Sequence, residues 1–381
     1  MSKVLFISHD DTRTGAPILL LNLKKAVTIV NGDIEVNFLI KNCFNQLITS
    51  FQDKGYTIRL TDGSKRALLN RIIQRFLPFL KVNEFERKIK KIKLDAYDFI
   101  LSNTITNGDI LPIIRKNYTG VIVSYIHELE MASSFFTHAQ DIKQLISNTD
   151  YFAYPSIAVK DFLIEKHKIS EEKLFYLPYY IPHTSSRLSE RVSFTERFTF
   201  RIGGCGTTDW RKGIDLFLQV ALIIKKELKS TKIKFIWKGA VEGLDYERLL
   251  YDIRKAKLED VITIEKSGSN MDEFWNSLDL FLLTSREDPF PLVVLEAASY
   301  KVPTIAFNGA GGATEFISED AGIVIPYLDV QGMADAILHF YDNIDELSNA
   351  GNKAFNKASN EYLNVHYVNN YFNALINKIG K

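Results

Sequence analysis

Cysteine, long apolar runs and net charge are all scarce in this sequence. Only Cys43 and Cys205 occur among 381 residues, and neither has a C-x-x-C partner, so a disulfide framework and a zinc site are both unsupported. No uncharged apolar stretch approaches the roughly 18 residues of a membrane-spanning helix, and the apolar run at the N-terminus is too short for a secretory signal. A net charge of +1 argues against a nucleic-acid partner. These absences predict a cytoplasmic protein in a reducing compartment.

Two glycine motifs of nucleotide-binding proteins are also missing. The loop after the first apolar run, HDDTRTGAP, has a single glycine, Gly15, and the stretch GGCGTTD at residues 203–209 lacks the third glycine of G-x-G-x-x-G. A dinucleotide-dependent oxidoreductase is therefore not supported. The chain also has no G-x-x-x-x-G-K-[ST] sequence, so a P-loop kinase is not supported either.

Short β-branched or aromatic runs alternate with helical patterns along the whole chain. Continuous apolar strands between helices predict parallel sheets that are covered on both faces. The length and the two similar sets of runs predict an α/β protein of two doubly wound Rossmann-like domains. The boundary falls in the proline-containing polar stretch at residues 176–194. The runs are residues 4–8, 36–40, 56–60, 98–102, 121–126 and 151–155 in the first half, and 198–204, 232–239, 261–265, 279–285, 303–307 and 322–326 in the second.

Residues 284–297, TSREDPFPLVVLEA, join a predicted strand to a predicted helix at residues 292–301. Pro291 stands at the start of the helix, where its missing N–H group costs nothing. The N–H groups of Leu292 and Val293 lie in the first turn, and a helix N-terminus is a ready anion site. Because ligands of open α/β sheets bind at the carboxyl ends of the strands, we expect an anion here.

Three carboxylates accompany this helix. Glu296 lies one turn inside an otherwise apolar run, where it can accept hydrogen bonds from two vicinal hydroxyls, as on a ribose. Asp288 lies in the loop and can hold hydroxyls of a sugar beyond the phosphate. The alternative is that Glu287 and Asp288 only cap the helix and favour its dipole, although capping leaves Glu296 unexplained.

Two cations precede another predicted helix. Arg211 and Lys212, in GTTDWRKGID at residues 206–215, lie next to the helix N-terminus. Cations are unfavourable there for the helix dipole, so their position indicates an anionic ligand, and two cations suit a pyrophosphate. The alternative is a solvated basic turn.

Polar residues also follow two runs of the first half. His127, in SYIHELE, follows directly on a predicted buried strand and is a candidate site residue, with a core histidine satisfied by hydrogen bonds as the alternative. Asp10 and Asp11 follow His9 at the end of the first run. This acidic pair can be interpreted as a metal site, but a plain polar loop is the favoured interpretation, and we predict no metal centre.

These motifs together resemble those of the retaining glycosyltransferases of family 4, which have the GT-B fold. The resemblance rests on SREDPFPLVVLEAASYKVPTIAF, WRKGIDLFLQVA, NGAGGATEFI and GIVIPYLD, and on VLFISHDDTRTGAPILLLNL and SYIHELE in the first half. It covers most of the chain and is strongest over residues 203–340. It implies two Rossmann-like domains facing across a cleft, with residues 1–183 on the acceptor side, residues 184–360 on the donor side, and a C-terminal helix at 361–381 crossing back to the first domain.

The resemblance also implies roles for the candidate residues. Two departures accompany them: the family's first glutamate is Asp288 here, and the arginine that many members have six residues before the lysine is Gly206 here, so Arg211 is expected to supply that charge. The implied roles are Lys212 and Arg211 on the diphosphate, with Leu292 and Val293; Glu296 on the ribose; Asp288, Glu287 and the backbone near Phe290 on the donor sugar; His127, Gly15 and Ala16 on the transferred sugar from the first domain; and the loop 264–270, with Lys266, on the base.

The family implies a function as well. The expected reaction moves a sugar from a nucleotide-diphosphate-sugar donor to a glycan or lipid-linked acceptor, with retention of configuration and without a metal or other cofactor, in cell-surface polysaccharide synthesis. One alternative is a GT-B sugar-nucleotide epimerase, for which His127 and the neighbouring Glu128 are the acid and base groups available. Another is a non-catalytic sugar-nucleotide-binding subunit of a transferase complex.

Residues 65–93 carry ten Lys or Arg side chains against two Glu, in a chain whose net charge is only +1. Apolar residues recur within this segment at helical spacing. A basic helix with an apolar face can lie on an anionic membrane surface, which predicts a peripheral protein on the inner face of the cell membrane. The alternative is that the apolar stripe packs on the first domain's sheet while the basic residues are solvated.

Overall fold

The structure is a computed structural model that describes residues 2–30, 32, 34–52, 57–60, 85–182, 199–228, 232–266, 268, 270–318 and 320–380. The chain forms two compact units. Unit 1 comprises Met1–Tyr180 and Asn364–Lys381, and unit 2 comprises Ile181–Leu363. The predicted boundary at residues 183 and 184 lies outside the described residues.

Unit 1 contains a seven-stranded parallel sheet in the order β3-β2-β1-β4-β5-β6-β7. The order reverses between β1 and β4, which makes their carboxyl ends a topological switch point. Its described elements are β1 (Ser2–Asp10), α1 (Gly15–Val30), β2 (Ile34–Asn42), α2 (Ile48–Gln52), β3 (Thr57–Arg59), β4 (Phe99–Asn103), α3 (Leu111–Arg115), β5 (Val121–Tyr125), α4 (Glu130–Phe136), α5 (Ala139–Ser147), β6 (Tyr151–Tyr154), α6 (Ile157–Glu165) and β7 (Leu174–Tyr176).

Unit 2 contains a six-stranded parallel sheet in the order β10-β9-β8-β11-β12-β13, with its switch point between β8 and β11. Its described elements are β8 (Phe200–Cys205), α7 (Ile214–Leu228), β9 (Ile233–Ala240), α8 (Leu244–Lys255), β10 (Ile262–Lys266), α9 (Met271–Ser277), β11 (Leu280–Leu283), α10 (Leu292–Ser299), β12 (Thr304–Phe307), α11 (Ala313–Ile317), β13 (Gly322–Ile325), α12 (Val330–Asp342) and α13 (Ile344–Asn360). The last helix, α14 (Val365–Ile379), belongs to unit 1.

Both sheets are apolar on both faces, as parallel strands covered by helices must be. In β1, residues Val4, Leu5, Phe6 and Ile7 are all fully buried. The C-terminal helix α14 packs on this sheet, because the Phe372 ring lies 6.2 Å from Phe6 and 6.0 Å from Phe99 between centroids. The prediction of two doubly wound α/β domains is confirmed.

The sequence-based prediction differs from the structure at two elements. It missed β7, whose three residues form the edge of the sheet directly before a proline-rich stretch and carry too short a pattern to be recognised. It also extended the helix after Pro291 to residue 301, whereas α10 ends at Ser299. The helix stops there because Lys301 adopts a left-handed backbone conformation, with φ of 58°.

The basic segment at 65–93 is only partly visible, since residues 65–84 lie outside the described residues. Residues 85–89 are helical, and Phe85 and Ile89 are buried in the core of unit 1. The Lys88 ammonium donates a 2.6 Å hydrogen bond to the Leu60 carbonyl. This visible part therefore packs in the core of unit 1, whereas the apolar stripe on which both interpretations depend lies outside the described residues. The chain then continues through residues 90–98 to the start of β4. No helix in the described part of the chain is long and apolar enough to cross a membrane.

Candidate functional site

The loops that follow β8 and β11 approach each other at the switch point of unit 2. After β8 the chain makes a 3-10 turn, Trp210–Lys212, and Gly213 then starts α7 from a left-handed conformation with φ of 68°. A Cβ atom at Gly213 would lie 2.0 Å from the Thr284 carbonyl oxygen at the end of β11. Only glycine permits this approach, which places Lys212 beside the β11 loop.

Lys212 and Asp288 form an ion pair at this edge. The Lys212 Nζ atom donates to Asp288 Oδ2 at 2.6 Å, and Ser285 Oγ lies 3.4 Å from the same oxygen. The two side chains are only 18% and 9% exposed, so solvent screens the pair less than it screens a surface pair. The sequence placed Lys212 on a diphosphate and Asp288 on a sugar, and it did not predict that they pair.

The same geometry bears on the alternative of a solvated basic turn. The Arg211 Nη1 atom donates to the Glu287 carbonyl at 3.3 Å, and Arg211 and Lys212 are both partly buried. A Cβ atom at Gly206 would lie 2.9 Å from Cγ of Lys212, so the lysine stem packs directly over this glycine. The basic turn is therefore a packed structure, and the position where many family members have arginine supports the lysine instead.

A second glycine-dependent contact fixes the Asp288 backbone. Its N–H group donates to the Ala310 carbonyl at 2.7 Å, and its carbonyl accepts from Gly312 N–H at 3.3 Å. A Cβ atom at Gly311, whose φ is 136°, would lie 1.8 Å from the Asp288 carbonyl oxygen. The NGAGGAT loop is thus a backbone support for Asp288, and Gly311 is needed for this close approach.

Helix α10 begins at Leu292, as the sequence predicted. Its N-cap is Pro291, whose own side chain makes no cap hydrogen bond. The interpretation of Glu287 and Asp288 as residues that cap the helix and favour its dipole stays an alternative, but the Asp288 carboxylate also accepts from Lys212. Phe290 is buried against the Tyr362 ring, 5.3 Å between centroids, which anchors the loop just before the N–H groups of Leu292 and Val293.

Glu296 lies close to the end of β8. Burial, followed by the Glu296 carboxylate, raises the pKa of the Cys205 thiol to about 12, while Lys212 and Lys238 oppose this rise. These three charged groups therefore act electrostatically on the last residue of β8. Lys238 stands opposite Cys205 on the neighbouring strand β9, and sequence reasoning did not single it out, since one lysine within a strand carries no recognisable pattern. Its ammonium lies 2.7 Å from Glu265 Oε2 on β10.

Lys266 lies at the end of β10 and forms an exposed ion pair with Glu242. The predicted base-contacting loop at 264–270 is described except for residues 267 and 269. The structure therefore places the Lys266 side chain in a pair with Glu242 at the sheet edge, on the strand next to Lys238.

The candidate residues of unit 1 meet at its own switch point. His127 Nε2 lies 2.6 Å from Asn103 Oδ1, and Asn103 Nδ2 donates to the Ala16 carbonyl at 2.9 Å. Because this second bond fixes the amide orientation, Asn103 Oδ1 accepts and Nε2 of His127 carries the proton. Nδ1 then accepts from the Tyr179 hydroxyl at 2.9 Å. Asn103 and Tyr179 were missed by sequence reasoning, because each belongs to a different element from His127.

The His127 ring is neutral in this setting. Burial, followed by the nearby His9, lowers the pKa of His127 to about 3. The neighbouring Glu128 accepts backbone N–H groups from Ile105 and His127 at 3.1 and 3.0 Å, and burial raises its pKa to about 7. Both groups available to an epimerase are thus engaged in local structure. Gly15 is exposed at the first position of α1, next to Ala16.

The acidic pair after β1 supports the loop backbone. Asp10 accepts from the Thr12 N–H and hydroxyl at 3.0 and 2.8 Å, and Asp11 accepts from the N–H groups of Phe44 and Asn45. This arrangement favours the polar-loop interpretation. Within the described ranges, no group of three or more His, Cys, Asp or Glu side chains is arranged to hold a metal ion.

Residues 201–357 match the family described as Glycosyl transferases group 1. Two relatives are similar over parts of the chain. AmsD, the amylovoran biosynthesis glycosyltransferase of Erwinia amylovora, is 34% identical over 93 residues, which cover 24% of this chain and 26% of AmsD. LpsB, the lipopolysaccharide core biosynthesis mannosyltransferase of Rhizobium meliloti, is 28% identical over 171 residues, which cover 42% of this chain and 47% of LpsB. The chain thus matches less than half the length of either relative.

Solved structures are similar over the whole length of the chain. HepE of Anabaena, in complex with UDP and glucose, aligns with a TM-score of 0.76 and 16% identity, covering 99% of this chain and 100% of HepE. At this identity the likeness shows the fold, and it confirms the predicted GT-B fold. The match over 201–357 contains Lys212, Asp288 and Glu296.

Proposed function

We propose that this protein is a glycosyltransferase that moves a sugar from a nucleoside-diphosphate sugar to a hydroxyl group of a glycan or lipid-linked acceptor, in the synthesis of a cell-surface polysaccharide. The observation that carries the proposal is the charged group at the switch point of unit 2. There Lys212 pairs with Asp288 at 2.6 Å, beside the loop that leads into α10, and both Lys212 and Glu296 act electrostatically on Cys205 at the end of β8.

The arrangement suits a nucleoside diphosphate. A lysine ammonium has three N–H donors, and the bond to Asp288 takes one of them, which leaves the ammonium oriented and able to donate to phosphate oxygens. The first N–H groups of α10 can receive the same anion. Glu296 offers carboxylate oxygens to the two ribose hydroxyls. The two loops and α10 therefore offer groups for the diphosphate and the ribose of the donor.

The chemical step follows from this placement. The bond between the sugar C1 and the diphosphate oxygen breaks, and the acceptor oxygen forms the new bond to C1. The acceptor proton passes to the departing phosphate. Negative charge develops on the leaving group, where Lys212, Arg211 and the N–H groups of Leu292 and Val293 can stabilise it. Each charge-assisted hydrogen bond contributes roughly 1.5–3 kcal/mol.

In unit 1, His127 has a supporting part in this proposal. Its neutral ring is held by Asn103 and Tyr179, so it can shape the acceptor-side surface together with Ala16, while proton transfer is left to the leaving phosphate. We propose retention of configuration, as expected of family 4. The acceptor then attacks the sugar C1 from the same face from which the leaving group departs.

The relatives support the biological setting. AmsD and LpsB are described as acting in amylovoran and lipopolysaccharide core biosynthesis, and HepE is a structure with bound UDP and glucose. We propose a nucleoside-diphosphate hexose as donor, no metal requirement, and a cytoplasmic site of action. Attachment to the inner membrane surface through residues 65–93 remains part of the proposal.

A donor screen tests the proposed function. Thermal unfolding of the purified protein is followed with each common sugar nucleotide, because a ligand at 100 times its dissociation constant stabilises the folded state by about 2.7 kcal/mol. The donor that stabilises the protein is then incubated with it, and released nucleoside diphosphate is measured. We expect slow hydrolysis without an acceptor. Stabilisation without any release, with or without acceptor glycans, would instead identify a binding subunit.

A further inference from the structure

Arg286 connects the two loops that carry Lys212 and Asp288. It follows β11 and stands two residues before Asp288, and its side chain is only 10% exposed. Its backbone N–H group donates to the Arg211 carbonyl at 2.8 Å, and its Nη1 atom donates to the Trp210 carbonyl at 2.8 Å. One residue of the Asp288 loop thus holds two successive carbonyl groups of the 3-10 turn that ends at Lys212.

The guanidinium also binds the helix that follows this turn. Nη1 and Nη2 donate to the two carboxylate oxygens of Asp215 at 2.9 and 2.7 Å. Asp215 is the second residue of α7. This bidentate geometry restricts the angle between the two groups, which a single ammonium cannot do. The guanidinium carbon further lies 4.9 Å from the centroid of the Trp210 ring.

The Arg286 contacts therefore fix the turn on both sides of Lys212. Trp210 and Arg211 precede the lysine, and Asp215 follows it. Movement of this turn would carry the Lys212 backbone away from Asp288, because two further hydrogen bonds between the loops, apart from the Lys212–Asp288 pair itself, are longer. The Thr284 hydroxyl lies 3.3 Å from the Lys212 carbonyl, and the Arg211 guanidinium lies 3.3 Å from the Glu287 carbonyl.

We propose that Arg286, through Asp215 and the carbonyls of Trp210 and Arg211, is a positioning residue that holds the Lys212 ammonium where the departing diphosphate needs it. This inference rests on the proposed function and adds to it a residue that does not touch the substrate. A displacement of about 1 Å at a reacting centre can lower the rate by about 10²-fold. We therefore expect Arg286 to act on turnover through Lys212.

The first test compares turnover in single variants. Arg286→Met removes the forked donors but keeps much of the apolar stem, and we expect it to lower kcat by about 10- to 100-fold with a much smaller change in the donor KM. Arg286→Lys retains the charge without the fork and should recover only part of kcat. The matched control is Arg248→Met, since Arg248 forms an exposed pair with Asp245 in the same unit at 3.0 Å, and its kcat should equal that of the wild type.

The decisive test places Arg286→Met in the Lys212→Ala background. If Arg286 acts through Lys212, the second substitution should change kcat by less than about twofold, because residues that act as a unit are non-additive. A purely structural role predicts that the two losses multiply, and that outcome overturns the inference. So does unchanged kcat in Arg286→Met when Lys212→Ala is strongly impaired. Full activity of Lys212→Ala would contradict the proposed function itself, and the inference with it.

Discussion

Nζ of Lys212 lies 2.6 Å from Oδ2 of Asp288, although the two residues are 76 positions apart in the sequence. The pair joins the loop after β8 to the loop after β11, at the place where the strand order of unit 2 reverses. Cations at this position usually indicate an anionic ligand, and the carboxylate gives the ammonium a fixed direction. The pair therefore explains why a basic turn stands before α7, where it is unfavourable for the helix dipole.

Replacement of Glu296 tests the ribose assignment. The ligand is the nucleoside diphosphate of the sugar nucleotide that stabilises the protein in the donor screen. We expect Glu296→Gln to weaken its binding by about 10- to 100-fold, because a hydrogen bond to a charged group contributes roughly 1.5–3 kcal/mol. Isothermal titration measures the change. The same titration with the 2′-deoxy nucleotide provides the control, since removing that hydroxyl should cost the wild type more than it costs the variant. Equal losses in both proteins would exclude contact between Glu296 and the 2′-hydroxyl.

Chelation tests the proposal of a metal-independent reaction. In the proposed reaction Lys212, Arg211 and helix N–H groups compensate the charge of the departing diphosphate, so we expect nucleoside diphosphate release to continue at an unchanged rate in excess EDTA. The release assay is repeated after extensive dialysis and again with added Mg²⁺ or Mn²⁺. Loss of activity in EDTA that either metal restores would show that the protein groups alone are insufficient.

Glu128 predicts a pH dependence of stability. Burial raises its pKa from 4.5 to about 7 in the folded protein, so between these values the folded state binds more protons than the unfolded state. The contribution of the Glu128 carboxyl group to folding stability is therefore present at low pH and is lost as the pH rises from about 4.5 to about 7. Across this pH range we expect the free energy of unfolding of the wild type to fall by on the order of 2 kcal/mol relative to that of Glu128→Gln. Urea unfolding at pH 5 and pH 8 measures both proteins, and a constant difference would contradict the raised pKa.

Liposome flotation tests the membrane proposal. We expect binding to vesicles that contain anionic lipid, with loss of binding at high salt, because each basic residue near such a surface contributes about 1 kcal/mol. Lys91→Glu with Lys93→Glu should weaken it, since both side chains are exposed. Lys88 is left unchanged because it bonds to the Leu60 carbonyl. Arg254→Glu with Lys255→Glu applies the same charge change to exposed positions of unit 2. No flotation at low salt would contradict a membrane role for residues 65–93.

Much of the fold is readable from the sequence because parallel strands are continuous apolar runs. The run at residues 4–8 is a fully buried part of β1, and Pro291 correctly marks the start of α10. The strand β7 was not predicted, because its three residues are too few to show a periodic pattern. Strand-end loops were also identifiable, since their polar and glycine residues interrupt the apolar runs.

The contacts within the site are harder to predict from the sequence. The sequence indicates that Lys212 and Asp288 lie at one sheet edge, but their pairing depends on the backbone approach of Gly213 to Thr284, which has no local signal. The engagement of both His127 ring nitrogens depends on Asn103 and Tyr179, which are 24 and 52 residues away. Arg286 was overlooked for a related reason, because its partner Asp215 lies 71 residues earlier. Residue type and strand order predict which residues lie at the sheet edge. Which side chains pair there depends on the conformation of the folded loops.

The most direct measurement of the central claim is the rate of nucleoside diphosphate release by wild type and by Lys212→Ala, with the sugar nucleotide that stabilises the protein. Removing one group that stabilises transition-state charge lowers kcat by about 10²–10³-fold in comparable sites, and we expect a loss of this size with unchanged folding by circular dichroism. Lys225→Ala is the matched control, because Lys225 pairs with Asp260 at 2.5 Å on the surface of the same unit, and it should release product at the wild-type rate. A folded Lys212→Ala protein with wild-type turnover would contradict the account.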